Sequence, residues 1–225
     1  MTGELTDDDI RRMTTPLWEQ VRAAILADDI DDAAGLLDKA VAQWRSLQDY
    51  SINWITSLLS FIGEELGEEA VERALRRTGD EFVAPRRAAS GVGWGSLPAS
   101  ARAKVIARAM VSNFATCDVE EDDEKITLSF DCGTGGRLVN EGRYDTEGGP
   151  YLTLRERAPR TFMGDSLPVY CAHCSINNEL QPLERGEAPT SIEHPTTRRG
   201  ERCVHHVYKR GLPSSAYERL GLPPR

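Results

Sequence analysis

The chain has 225 residues and a formal net charge of −9, with 40% hydrophobic and 28% charged residues. These values predict a soluble globular protein that buries a core without disulfide staples, and the acidic charge argues against a broad nucleic-acid-binding surface. The N-terminus lacks the apolar run of a signal peptide, and no later run approaches the roughly 18 apolar residues of a membrane span. We therefore predict a cytoplasmic protein with no nucleic-acid partner and no membrane contact.

The first part of the chain, residues 1–90, is predicted to be helical. Apolar residues recur at helical spacing from about residue 14 to residue 77. Gly63 and Gly67 are candidate helix breaks. The stretch EEAVERALRRTG is acidic at its start and basic at its end, which is typical of a helix with Gly79 as its C-cap.

Large apolar side chains of this helical part are predicted to pack in the core, with the lining of a ligand pocket as the alternative. Aromatic residues bury the largest areas in protein cores, which favours the first interpretation. The stripe comprises Leu36, Leu37, Ala40, Val41 and Trp44, followed by Trp54, Leu58, Phe61 and Ile62. We expect this face to pack against the second part of the chain, with a pocket between the two.

The second part, residues 91–225, begins after a stretch rich in Gly, Ser and Pro. A helix is predicted from Ala99, and its inner face carries Val105, Ile106, Met110 and Phe114.

The spacing of apolar residues then changes to alternation, which predicts strands. The clearest run is KITLSFDC, and the others are PYLTLRER and CVHHVYKR; a short helix is expected near Pro182. Helices followed by a small antiparallel sheet predict an α+β fold, with the helical part packed on the sheet.

Cysteine and histidine residues gather in this second part. The four histidines of the chain are His173, His194, His205 and His206. Four of the five cysteines are Cys132, Cys171, Cys174 and Cys203. Thiolates and imidazoles are the ligands that zinc and iron prefer.

The four cysteines lie at the ends of predicted elements, and Cys171 and Cys174 form a CxxC turn. Such ends can converge, so we predict a zinc site with these four ligands and iron as the alternative metal. His205 competes for a place, because residues two apart in a strand share a face and His205 follows Cys203 by two.

Other interpretations of the cysteines stay open. They include a reactive thiol without metal and plain burial of Cys132 and Cys203 as small hydrophobes. A thioredoxin-like pair is disfavoured, because the CxxC stretch lacks a strand–CxxC–helix context. Cys117, just before an acidic stretch, is expected to take no part.

The stretch DCGTGGRL also has two interpretations. Three glycines permit a sharp turn, which we favour, and they also permit exposed N–H groups that bind an anion beside Arg137. Asp131 is a candidate hydrogen-bond partner of a ligand or base. The acidic residues Glu120–Glu124 are expected to form a solvated loop.

The C-terminal stretch SIEHPTTRRGERCVHHVYK resembles the closing motif of 4-vinyl-reductase-like domains and of L-2-amino-thiazoline-4-carboxylic acid hydrolase-like proteins. The matching residues are Glu193, Gly200 and Cys203, with Cys171 or Cys174 about thirty residues upstream. The resemblance covers roughly residues 169–209. It implies an α+β ligand-binding fold with a zinc site near a small-molecule pocket. The sensor-type members have a further cysteine before the last one, which HPTTRRGER lacks.

We therefore predict a zinc-dependent enzyme that acts on a small molecule, as a hydrolase or lyase. Zinc would activate a bound water or polarise the substrate, and His173, His205 and His206 are the candidate proton carriers. The alternative is a non-enzymatic sensor or binding module with a structural zinc. The expected partner is a small molecule, and a homo-oligomer stays open.

Overall fold

The fold is described from a computed structural model of the chain, for residues 5–89, 93–145, 148–187, 190–194 and 198–223. The helices are α1 Asp7–Thr14, α2 Leu17–Leu26, α3 Ile30–Leu66, α4 Glu68–Thr78, α5 Ala84–Ala89, α6 Ala99–Ser112, α7 Gly135–Asn140, α8 Gln181–Glu184 and α9 Ser214–Glu218. The strands are β1 Thr116–Glu121, β2 Lys125–Asp131, β3 Thr153–Leu154, β4 Leu167–Pro168, β5 Ser191–Glu193 and β6 Cys203–Tyr208. The predicted α+β class is confirmed.

The chain divides into two compact units, Met1–Asn53 and Trp54–Arg225. The first unit is helical, and its small apolar cluster consists of Ala24, Ala33 and Leu36. The second unit contains the end of α3 together with the later helices and all six strands. Helices α4 and α5 therefore belong to the same unit as the sheet. The division of the chain into parts 1–90 and 91–225 stays a prediction.

Helix α3 is continuous through Gly63, so the predicted break at that glycine is wrong. A Cβ atom at Gly63 would lie 2.2 Å from Leu152 Cδ2, so the absence of a side chain at Gly63 lets Leu152 pack closely against α3. The predicted break at Gly67 is confirmed. Gly67 has a φ of +83°, a backbone conformation that favours glycine, and α4 begins at the next residue.

Helix α4 begins with two acidic residues and ends with Arg76 and Arg77, as predicted. The prediction that Gly79 is the C-cap is confirmed, although its backbone is not in the left-handed conformation that usually favours glycine at this position. Its φ is −61°, and the chain continues through a π-helical segment, Gly79–Val83. The glycine is required for a different reason, because a Cβ there would lie 1.9 Å from Gln181 Oε1.

The prediction that the aromatic residues of α3 pack in the core is also wrong. Trp44, Trp54 and Phe61 are 56%, 58% and 60% exposed. In the second unit the buried positions of α3 are instead Thr56, Leu59 and Ser60, and the Ser60 hydroxyl accepts a hydrogen bond from the Leu152 N–H at 3.0 Å. Small side chains allow a closer approach than tryptophan does, so hydrophobicity alone selected the wrong face.

The main sheet has the strand order β1-β2-β6-β5, with antiparallel pairs throughout. Strands β2 and β6 were predicted, whereas β1 and β5 were not. Within PYLTLRER only two residues form a strand, β3, which pairs with β4 in a separate two-stranded sheet. The predicted short helix near Pro182 is confirmed, because Pro182 lies in α8. A π-helical segment, Cys174–Leu180, precedes this helix.

One face of this sheet packs against α6. Ile126, Leu128 and Phe130 alternate into the core, as the pattern predicted. Ile106 and Met110 of α6 pack against the same cluster, whereas Val105 is 47% exposed and was wrongly placed on the inner face. The register opposes Phe130 to Cys203 and Leu128 to His205, so the core face of β6 carries the residues around which the candidate site is built.

Among the described residues, no helix is both long enough and apolar enough to cross a membrane.

Candidate thiol site

Four cysteines of the second unit lie at the ends of four elements. Cys132 directly follows β2, and Cys203 is the first residue of β6. Cys171 ends a short 3₁₀ turn, and Cys174 begins the π-helical segment after it. Because the β2–β6 register opposes Phe130 to Cys203, the end of β2 and the start of β6 lie side by side.

The π-helical segment fixes the position of Cys174. Ile176 and Leu180 are buried, and the Asn177 amide donates to the Leu75 carbonyl of α4 at 2.8 Å. The Gln181 amide donates to the Arg76 carbonyl at 3.0 Å. π-Helical turns are uncommon and occur frequently at functional sites, and this one holds the CxxC turn against α4.

The glycine turn after β2 packs directly against two of the cysteines. A Cβ at Gly135 would lie 2.6 Å from Cys171 Sγ, and a Cβ at Gly136 would lie 2.8 Å from Cys132 Cβ. At Gly133 a Cβ would lie 1.8 Å from the Asn113 carbonyl oxygen. The glycines are thus needed for close approach, and the turn interpretation of DCGTGGRL is the one that the backbone supports.

The surroundings of Cys132 favour its thiolate form. Hydrogen bonding from the Cys203 thiol is the largest contribution that lowers the pKa of Cys132. The Thr134 hydroxyl, 3.2 Å from the sulfur, and the backbone N–H groups of Gly136 and Thr134 lower the pKa further. Together they outweigh burial and hold the pKa well below that of an ordinary thiol. The anion that this turn stabilises is the sulfur of Cys132 itself.

Cys203 and Cys171 behave in the opposite way. The hydrogen bond from Cys203 to the Cys132 sulfur, followed by burial and the charge of Cys132, raises the pKa of Cys203. Burial, followed by the charges of Cys174 and Cys132, raises the pKa of Cys171. The four sulfurs are thus close enough to influence one another, and ionising one makes the next harder to ionise.

His173 lies inside the CxxC turn and contacts Cys174. Its Nε2 is 3.4 Å from Cys174 Sγ, and its Nδ1 is 2.6 Å from the Tyr170 carbonyl oxygen. Burial lowers the pKa of His173, but the Cys174 charge, the hydrogen bond with that sulfur and the Tyr170 carbonyl outweigh it and raise the pKa to about 9. The imidazole is therefore able to act as a proton donor beside the sulfur.

The other histidines are arranged differently. His206 lies on the opposite face of β6, where its Nε2 is 2.9 Å from Glu193 Oε1 and its Nδ1 is 3.1 Å from the Thr127 hydroxyl. His205 packs edge-on against the Phe130 ring at 5.0 Å, on the core face of the sheet. Of the three predicted proton carriers, His173 is the one whose contact with a cysteine of the site the structure shows.

Three further predictions concern neighbouring residues. Asp131, a candidate partner of a ligand, instead accepts a hydrogen bond from the Thr116 hydroxyl at 2.7 Å and lies 3.7 Å from Arg202 Nε. Cys117 lies on β1. Burial raises the pKa of its thiol, and the charge of Arg202 opposes this effect. The predicted loop Glu120–Glu124 is in part wrong, because its first two residues end β1.

Tyr170 and Thr134 belong to the surroundings of the site, and sequence reasoning missed both. A Cβ at Gly135 would lie 3.0 Å from the Tyr170 ring, which also packs edge-on against the His173 ring at 4.9 Å. Burial, followed by the charges of Cys174 and Cys132, raises the pKa of Tyr170. The only signal in the sequence is adjacency: Tyr170 precedes Cys171, and Thr134 lies between the glycines.

The donor set suits a soft metal ion, because four thiols match the four ligands of a tetrahedral zinc site. Within the described residues, however, no three His, Cys, Asp or Glu side chains converge closely enough to hold a metal ion as they stand. The cysteines are all free thiols. As arranged, the cluster is an electrostatically coupled group of thiols around one favoured thiolate.

Comparison with protein-family models, curated proteins and solved structures finds no match to this chain.

Proposed function

We propose that Cys132, Cys171, Cys174 and Cys203 bind one zinc ion, and that the protein is a small-molecule-binding module in which this zinc is structural. The observation that supports this most directly is the environment of Cys132. The Cys203 thiol, the Thr134 hydroxyl and backbone N–H groups stabilise its thiolate, the form that binds metal. Its charge acts on the Cys171 and Cys203 thiols, and the charge of Cys174 acts on the same two thiols.

A structural role follows from the number of ligands. A catalytic zinc keeps an open position for water or substrate, whereas a four-thiolate site is closed. Binding would draw the sulfurs to about 2.3 Å from the ion, which requires the thiols to move inward from the arrangement described above. The ion would then join the ends of β2 and β6 to the CxxC turn, so binding would stabilise the fold. Iron is the alternative metal for the same donor set.

A zinc-dependent hydrolase or lyase is the second candidate, and the contact between His173 and Cys174 favours it. In that case one cysteine would leave its position to a water molecule, whose pKa the metal lowers. His173 would carry the proton, because its imidazole lies beside a ligand. His205 and His206 stay predicted proton carriers in this candidate. The resemblance of residues 169–209 to ligand-binding and hydrolase families is compatible with both candidates.

The experiment that tests the proposal is metal analysis of the purified protein by mass spectrometry. We expect about one zinc per chain in the wild type, as a closed tetrahedral site requires. Each of Cys132→Ser, Cys171→Ser, Cys174→Ser and Cys203→Ser should lose it, whereas the matched control Cys117→Ser should retain it. Full zinc content in all four variants would refute the metal site.

Substitution with cobalt(II) separates the two candidates. Absorption bands typical of tetrahedral cobalt with four thiolates are expected for the structural site. A site with three cysteines and a water binds an added anion such as cyanide, and its spectrum changes. An unchanged spectrum supports the binding module, and a changed one supports the enzyme.

A further inference from the structure

A cavity of about 190 Å³ lies beside α6, on the core face of the sheet, and no cysteine is among the described residues that line it. Its apolar wall includes Ile106 and Met110 of α6 and the Trp94 ring. Its polar groups come from Arg87 of α5, Asn178, Thr190 and His205. Ligand sites are typically apolar pockets with a few convergent polar groups, and this cavity has that composition.

His205 is the polar group that most needs explanation. The residue is 3% exposed, and its Nδ1 is buried without a hydrogen-bond partner in the part of the chain that the structure describes. A buried polar atom without a partner costs free energy that a protein rarely leaves uncompensated. A ligand in the cavity that the same residue lines would supply the partner.

Arg87 gives the cavity its charge, since it is the one charged residue among the described residues that line it. Its guanidinium lies 3.5 Å from Glu187 and over the Trp94 ring at 5.6 Å. Glu187 is held more closely by Arg185, at 2.8 Å. A guanidinium has five N–H donors in a planar fork, so it can bind a carboxylate while it keeps other partners.

We propose that this cavity binds a small monocarboxylate with an apolar body. The carboxylate would bind Arg87, with hydrogen bonds from the neighbouring amide, hydroxyl or imidazole, and the body would lie along Ile106 and Met110. A volume of about 190 Å³ is below the roughly 300–1,000 Å³ of sites for drug-sized ligands, so the ligand is about the size of a single substituted ring. This inference rests on the proposed small-molecule-binding function, but not on the zinc site.

The test compares two probes of equal ring size, benzoate and benzyl alcohol, by isothermal titration calorimetry on the full chain. A probe of about nine non-hydrogen atoms is expected to bind with a Kd in the millimolar range or below. Arg87→Gln should weaken benzoate binding by about tenfold or more, as expected for the loss of a charge-assisted hydrogen bond, and change benzyl alcohol binding by less than about twofold. Ala109→Phe places a large side chain at the wall of the cavity and should abolish binding of both probes.

Zinc content measured on the same samples keeps the two proposals apart. A protein that contains zinc but does not bind benzoate at about 20 mM refutes the cavity proposal alone. The cavity proposal also fails if Ala109→Phe binds benzoate as the wild type does, or if Arg87→Gln weakens both probes equally. Benzoate binding that shows the expected dependence on Arg87, in a chain without zinc, refutes only the zinc site.

Discussion

Two buried polar clusters of the second unit differ in whether they contain their own counter-charge. Arg160 is 5% exposed and forms ion pairs with Glu72 at 3.2 Å, Glu68 at 3.7 Å and Glu156. The thiol cluster instead groups side chains of one kind, in which the charge of one raises the pKa of the next. A cluster with both charges is complete as folded, whereas a cluster of potential anions is completed by a cation. This difference is why we place a metal at the thiols and not at Arg160.

The largest expected effect is that of metal removal. Chelation of the proposed zinc should lower the free energy of unfolding by about 4 kcal/mol or more, because the ion binds only the folded arrangement of ligands. Urea denaturation with and without chelator measures this loss. Cys117→Ser should show the same loss as the wild type, since that thiol lies apart from the cluster. Equal denaturation midpoints with and without chelator would mean that the thiol cluster, like the Arg160 cluster, is stable without a metal ion.

The next effect is that of Arg160→Met, which leaves three carboxylates without their shared cation. Removing one partner of a buried ion pair typically costs about 3–5 kcal/mol, and urea denaturation should show a loss of this size. Arg73→Met is the matched control, because Arg73 is 67% exposed and lies 3.9 Å from Glu69. Exposed pairs contribute about 0–1 kcal/mol. If the two variants cost the same, the buried cluster is not the self-contained unit described above.

Glu179 is an intermediate case, a carboxyl that is 1% exposed with Arg219 as its cation. Burial raises its pKa to about 7, against the opposing effects of Arg219 and of the Ile192 N–H, which donates at 3.0 Å. Between pH 4.5 and about 7 the folded state holds a proton that the unfolded state has released. The contribution of Glu179 to the free energy of unfolding therefore falls as the pH rises through this window.

Glu179→Gln removes this titration. The difference in unfolding free energy between variant and wild type should shift in favour of the variant by on the order of 2 kcal/mol between pH 4.5 and pH 7. Denaturation at several pH values measures it. Glu69→Gln, at a carboxylate that is 80% exposed, should show no comparable shift. A difference that does not change with pH would mean that Arg219 compensates the buried charge fully.

The smallest effect concerns a neutral polar cluster, in which the Asn177 amide donates to Gln181 Oε1 at 2.8 Å beside Gly79. Gly79→Ala should lower the unfolding free energy by about 1–3 kcal/mol, because the added methyl group collides with Gln181. Gly35→Ala is the control, since no atom lies within 4 Å of its added Cβ, and it should stabilise by about 0.5–1 kcal/mol. Thermal unfolding of both variants measures the contrast. A stabilised Gly79→Ala would show that the cluster adjusts freely.

Elements with a strong local pattern could be predicted from the sequence. Strands β2 and β6 alternate clearly, and α4 carries its acidic start and basic end. Strand β1 was missed because its residues are mostly exposed and acidic, and β5 because three residues are too few for a pattern. Gly63 was misinterpreted as a helix break, and the packing role of Gly79 was missed, because both glycines contact residues about 90 to 100 positions away.

For the candidate site, the sequence by itself determined the donor types, the CxxC spacing, the place of His173 inside that turn, and the opposite orientations of His205 and His206. These follow from chain connectivity and strand alternation, which act between neighbours. The tertiary structure alone decided that the Cys203 thiol donates a hydrogen bond to the Cys132 sulfur, and that His205 lines a cavity. Both depend on the antiparallel register of β2 with β6 and on the packing of α6 across the sheet. Contacts of that kind form between distant segments only when the chain folds, so no local pattern records them.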